Sequence, residues 1–162
     1  MDMEEKRKFL EQIKRHEGLR LEAYLCPAGK LTVGYGHNCV SAPVAGVEKP
    51  GDRISREAAE NLLASDAARC AEQISALRPA WRKMNAPRQA VLINMGFNMG
   101  IAKLMAFKKM WAALERDDFL RASSEMLDSK WAREDVPRRA GELACQMQTG
   151  QWQEGTWARR HG

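Results

Sequence analysis

Residues 88–99 read RQAVLINMGFNM, and apolar side chains fall on nearly every side of the helix this stretch would form. A helix without a polar face is buried all round. The fold therefore has to wrap other elements about it, a demand that limits the chain more than any other segment does. The 162 residues fit one domain, or one domain with two lobes, and can bury a sizeable core. Apolar content of 44% and charged content of 29% match globular proteins rather than disordered ones. No run of eighteen apolar residues is present, so nothing in the sequence predicts a bilayer-spanning helix.

The remaining segments predict what surrounds that helix. Residues 3–15 read as a charged amphipathic helix with Phe9, Leu10 and Ile13 on one side, ended or loosened by Gly18. LRLEAYL then turns at Pro27-Ala28-Gly29, and KLTVGY follows with alternating character, which predicts a small hairpin. Residues 38–54 hold two prolines, two glycines and few large apolar groups, so they read as a loop. Ser55 is a good N-cap, and Glu57 suits the first turn of a long helix carrying Leu62, Leu63, Cys70, Ile74 and Leu77 as far as about Pro79. Shorter helices are expected at about 104–115 and 118–130. The last begins at Pro137, with Asp135 just ahead, presents Ala140, Leu143, Ala144 and Met147 as a stripe, and closes at Gly150. Strands at one end and helices elsewhere predict a mainly helical α+β fold in two lobes, with a cleft as the natural ligand site.

Charge and cysteine usage narrow the partners. A formal net charge of +5 permits a polyanionic partner. No dense Lys/Arg stripe with interleaved aromatics is present, so nucleic acid is not favoured. Cys26, Cys39, Cys70 and Cys145 show no C-x-x-C spacing, which argues against a zinc site, and a cytosolic chain would keep them as thiols. Their even number leaves disulfides open. The start, MDMEEKRKFLEQIKRHEG, is too densely charged for a secretory signal, so the expectation is a chain made and kept in the cytosol.

The stretch HEGLRLEAYLCPAGKLTVGYGH, residues 16–37, concentrates the candidate chemistry. Glu17 stands at a helix end beside a glycine, where a carboxylic acid can act as a general acid, although it also reads as one more solvated charge. Cys26 is either an inert apolar thiol or, paired with His16 or His37, a nucleophile, and only a lowered pKa would make it reactive. Thr32 alone is an ordinary strand residue. His37 is expected to bond an acid such as Asp66. Asn94, a polar residue within the buried helix, needs a partner and would find one by facing a cleft, whereas Phe97, Met95 and Met99 read as core. Arg138 and Arg139 open the last helix at its positive end, a placement that calls for an anion such as Glu17.

Glu17, eight residues, Cys26, five residues and Thr32, together with GDRISREAAENLLASD, LINMGFNMG and SKWAREDVPRRAGE…TGQW, resemble the phage-type lysozymes, glycoside hydrolase family 24. The likeness runs in one order from about residue 9 to Trp152, and four segments in register are specific where one would be weak. It implies a lysozyme-like fold with an N-terminal lobe at about 14–54, a connecting helix at about 55–78, and a C-terminal helical lobe at about 79–162 packed with helix 1–13. It implies cleavage of the β-1,4 bond between N-acetylmuramic acid and N-acetylglucosamine in peptidoglycan. Glu17 would protonate the leaving oxygen, Thr32 would hold the attacking water, and Arg139 would ion-pair with Glu17. Asn38 and Phe97 would touch the sugars, with Asn94 on the same binding surface, and His37 and Asp66 would be a structural pair. No cofactor and no metal are implied.

Cys26 departs from the commonest pattern, which has aspartate at that turn position. A thiol replaces a carboxylate there only when its pKa is lowered. Three roles stay open: thiolate base, nucleophile in a double displacement, or a passive group beside Glu17 and Thr32. An ion pair with Arg139 would favour the charged form of a carboxyl that must deliver a proton, so burial or breaking of the pair has to oppose it. The resulting expectation is a monomeric endolysin that waits in the host cytoplasm until a holin-type permeabiliser gives it the wall. The rival is a catalytically inactive peptidoglycan-binding or scaffolding module on the same fold. The tail QEGTWARRHG matches no pattern, and the packing of Trp157 is left open.

Overall fold

A computed structural model of the protein describes residues 1–153, and Trp157 lies outside the described residues. Seven α-helices and three short strands follow one another in these residues: α1 (Met3–Glu17), β1 (Arg20–Leu25), β2 (Leu31–Gly34), β3 (His37–Asn38), α2 (Arg56–Leu77), α3 (Ala86–Met99), α4 (Ile101–Met105), α5 (Lys108–Glu115), α6 (Phe119–Leu127) and α7 (Pro137–Thr149). The fold is mainly helical α+β with one small antiparallel sheet, as expected. Among the described residues no helix is long and apolar enough to cross a membrane. By its contacts the chain divides into two compact units, one formed by Met1–Gln12 with the chain from Cys70 onward, the other by Ile13–Arg69.

The helical unit is built around α3, whose Ala86, Pro87 and the whole run from Ala90 to Gly96 are buried. Leu92 and Met95 within it, and Trp111, Leu104, Met110, Leu114, Met126, Leu143 and Met147 from other helices, are fully buried. Gly96 is required for close approach, because a Cβ there would lie 2.8 Å from Cys70 Sγ. Polar pins complete the packing: Gln12 Nε2 donates to Gln146 Oε1 at 2.7 Å, and Gln146 Nε2 donates to the Pro87 carbonyl at 2.8 Å. The single helix expected at 104–115 is instead two, α4 and α5, separated at Phe107. There the chain turns so that the Phe107 ring meets Trp131 edge-on at 6.3 Å, an arrangement aromatic quadrupoles favour. Asp135 does not cap α7; Val136 holds that position without a side-chain bond, after a π-type turn at Trp131–Asp135.

The sheet-bearing unit has a core of small side chains, Ala23, Val33, Cys39 and Val47, with Leu31, Val44, Ile54 and Leu62 packed against it. Its sheet runs β1-β2-β3, with Tyr24 opposite Thr32 and Thr32 opposite Asn38. Strand β3 ends on Asn38, the first residue of the stretch expected to be loop, and its two residues are too few to display an alternating pattern. The far end of that stretch is tied to β1, Ala23 N–H donating to the Asp52 carbonyl at 2.8 Å and Ile54 N–H to the Leu21 carbonyl at 3.0 Å. Ser55 Oγ accepts the Ala58 N–H at 3.0 Å and caps α2 as expected.

Candidate active site

Glu17 is the last residue of α1, and Gly18 after it takes φ +72°, a conformation glycine adopts at little cost. The Gly18 N–H returns to the Lys14 carbonyl at 3.0 Å and closes the helix. Lys14, Arg15 and His16 occupy its last turn, where the macrodipole favours cations. The half-buried Glu17 carboxylate lies against the turn between β2 and β3, its Oε2 3.5 Å from where a Cβ on Gly36 would stand. Gly36, at φ +82°, makes the turn on which the carboxylate rests, and it is this backbone conformation that calls for glycine. Its role was not read from the sequence; the only signal was the glycine spacing of TVGYGH.

Cys26 opens a tight turn that closes on itself. Its N–H donates to the Lys30 carbonyl at 2.9 Å, and its carbonyl accepts the Gly29 N–H at 2.7 Å. The thiol is partly exposed, and its pKa is held below the ordinary thiol value, first by the Lys30 backbone N–H, then by the Ala28 N–H, the Thr32 hydroxyl and the Lys30 ammonium, against the opposing effect of desolvation. The other cysteines differ: burial pushes Cys70 up to about 12 and raises Cys39, and all four are free thiols. Thr32, buried at the middle strand, donates its hydroxyl proton to the Lys30 carbonyl at 2.9 Å. A hydroxyl has one proton, so donation to an ionised Cys26 or to a water means giving up that carbonyl.

Asn38 pairs with Thr32 across the ladder, and its Oδ1 accepts the Val40 and Ser41 N–H groups at 2.9 and 3.3 Å. Its amide oxygen is thus engaged in the turn that follows β3. His37 is buried and bonds Asp66 as expected, Nδ1 lying 2.7 Å from Asp66 Oδ2 and Nε2 2.7 Å from the Ala42 carbonyl. Two acceptors on one ring favour the doubly protonated form, and the carboxylate raises the imidazole pKa.

The remaining candidates belong to the helical unit. Asn94 is fully buried, so it meets its need for a partner inside the protein: its Oδ1 accepts Arg139 Nε–H at 2.8 Å. Arg139, half-buried in the first turn of α7, is oriented by that bond. Phe97, near the end of α3, is half-buried, while Met95 beside it in the same helix is wholly core.

The carboxyl at a helix end, the thiol in a turn and the hydroxyl on the adjoining strand lie in a chain whose family and relatives make it a glycoside hydrolase of the lysozyme type. Residues 14–146 match the family model described as phage lysozyme, and the chain belongs to that family. It is 34% identical over 131 residues to an endolysin of Acyrthosiphon pisum secondary endosymbiont phage 1, covering 80% of each chain. It is 33% identical over 140 residues, 75% of its length, to the pre-baseplate central spike protein Gp5 of Enterobacteria phage T4, of which it spans 24%. To the probable T4-type lysozyme 2 of Dictyostelium discoideum it is 26% identical over 163 residues, 89% of this chain and 95% of the other. The protein is a peptidoglycan-hydrolysing muramidase.

Proposed function

We propose that this muramidase works with Glu17 as general acid and the Cys26 thiolate as its anionic counterpart, in the place where the family most often has aspartate. Glu17 delivers its proton to the glycosidic oxygen as the bond between N-acetylmuramic acid and N-acetylglucosamine breaks. Thr32 orients a water, the thiolate takes one of that water's protons, and its hydroxide adds to the anomeric carbon. A base role predicts inversion at that carbon. The observation that carries this reading is the turn at 26–30, whose amides and lysine stabilise sulfur as an anion. Asn38 and Phe97 are assigned to the sugars, and Arg139, positioned by Asn94, to the same binding role.

In this reading the protein is an endolysin, monomeric and retained in the host cytoplasm until a holin-type permeabiliser admits it to the wall. Its net positive charge favours the anionic envelope, and clearing weakens at high salt. Turbidity clearing of permeabilised Gram-negative cells tests the enzyme against an inactive binding module. Glu17→Gln should clear roughly 10²–10⁴-fold more slowly. Wild-type protein that clears no faster than Glu17→Gln defeats the proposal.

A further inference from the structure

We propose that the helical unit carries a groove for an anionic phospholipid, a site distinct from the residues assigned to hydrolysis. The groove has a volume of about 790 Å³, within the range of small-molecule sites, roughly 300–1,000 Å³. None of its lining residues is among the catalytic or sugar-binding candidates above.

The rim is cationic by an excess that the chain does not itself neutralise. Lys103 of α4, Lys108 and Lys109 of α5, and Lys130 after α6 all line the groove. Among the described residues none of the four has an ion-pair partner. Two groove carboxylates are already engaged, Glu125 with Arg121 at 3.0 Å and Asp128 with Arg133 at 2.7 Å, and Asp135 stands at one end. Lys108 and Lys109 also occupy the first turn of α5, where the macrodipole opposes cations. An anion in the groove offsets that opposition.

The floor selects the kind of anion. Met99, Phe107 and Val136 contribute half-buried apolar surface. Of the polar side chains beside them, Asn98 Oδ1 accepts Trp131 Nε1–H at 2.8 Å, and Ser129 Oγ donates to the Met126 carbonyl at 2.7 Å and accepts the Ala132 N–H at 3.1 Å. Met99, Phe107 and Val136 offer no hydrogen bonds, so a sugar or a peptide laid on them would bury hydroxyls or amides without partners, at a cost in free energy. An acyl chain needs none. Hydrocarbon on the floor with a phosphate at the lysine rim therefore fits both halves of the groove.

The test is calorimetric titration of the full chain with monomeric dihexanoyl phosphatidylglycerol. Saturable binding is expected, with dihexanoyl phosphatidylcholine about tenfold weaker or worse. Lys108→Glu/Lys109→Glu should weaken the phosphatidylglycerol complex by about tenfold or more, whereas Lys6→Glu/Lys83→Glu, an equal charge change elsewhere, should leave it unchanged. Circular dichroism checks that each variant is folded, and Lys130→Glu, on a different segment, decides the matter should the double variant not fold. Glycerol phosphate binding as tightly as the lipid would overturn the acyl half of the proposal. An acidic peptide that displaces the lipid with higher affinity would make the groove a protein-docking surface, and unchanged binding by Lys130→Glu and the double variant would remove it altogether.

Discussion

The two units of this muramidase hold their shape by different means. The helical unit encloses Trp111, four methionines and several leucines at zero or near-zero exposure. The sheet-bearing unit has a cluster of one alanine, two valines and a cysteine, adds only Ile13 and Leu63 as large fully buried side chains, and relies on a buried His37–Asp66 bond and a set of ladder and loop hydrogen bonds. It is this second, lightly cored unit that carries Glu17, Cys26, Thr32 and Asn38. Apolar burial has no direction, whereas hydrogen bonds fix geometry. A scaffold of short strands and capped turns can therefore aim a carboxyl, a thiol and a hydroxyl, while bulk stability comes from elsewhere in the chain.

That contrast can be broken by substitution, beginning where the effect is largest. Trp111→Ala removes a fully buried ring and its hydrogen bond to the Leu104 carbonyl. It should cost about 3–5 kcal/mol in urea unfolding. A loss no greater than that from Val47→Ala would erase the distinction between the units. In the sheet-bearing unit the comparable dependence is polar. His37→Gln should cost about 2 kcal/mol at acid pH by removing a charge-assisted bond to Asp66. The sign follows from the raised pKa: the bond contributes fully below the unfolded value near about 6.5 and is lost as pH rises through the folded value. The gap between wild type and His37→Gln, measured as unfolding free energy against pH, should therefore narrow from pH 5 to pH 9. A gap that widens with pH contradicts the pairing.

The smallest expected stability effect sharpens the picture of the helical core. Gly96→Ala places a methyl 2.8 Å from Cys70 Sγ and 3.3 Å from Leu104 Cδ2. Overpacking costs about 1–3 kcal/mol, offset by roughly 1 kcal/mol of helix propensity, for a net loss of about 1 kcal/mol. Cys70→Ala in the same chain should recover part of that loss, and a purely additive double variant would show that the sulfur is not what Gly96 accommodates.

How much of this was legible beforehand follows the same division. The buried α3, the capped α2 and the last helix with its closing glycine were readable because a 3.6-residue period extends over several turns. The break at Phe107 was not, because no glycine, proline or side-chain cap marks it. Strand β3 has only two residues and no period to show. The His37–Asp66 bond was anticipated from residue chemistry, and the spacing of Glu17, Cys26 and Thr32 from the family resemblance. The stabilisation of the Cys26 thiolate came from backbone amides of Ala28 and Lys30, which every sequence possesses and no sequence pattern marks. Asn94 was expected to look outward and instead is fully buried against Arg139, a choice made by the packing of α3 against α7.

The central claim is that the turn of the sheet-bearing unit supplies an anion that takes part in glycan hydrolysis. Its most direct test compares Cys26→Asp, Cys26→Ser and Cys26→Ala on purified peptidoglycan. Cys26→Asp should remain active, while Ser and Ala, neither of which ionises there, should fall by roughly 10²–10⁴-fold. Full activity in all three would show that the thiol has no part in the chemistry and would contradict the account.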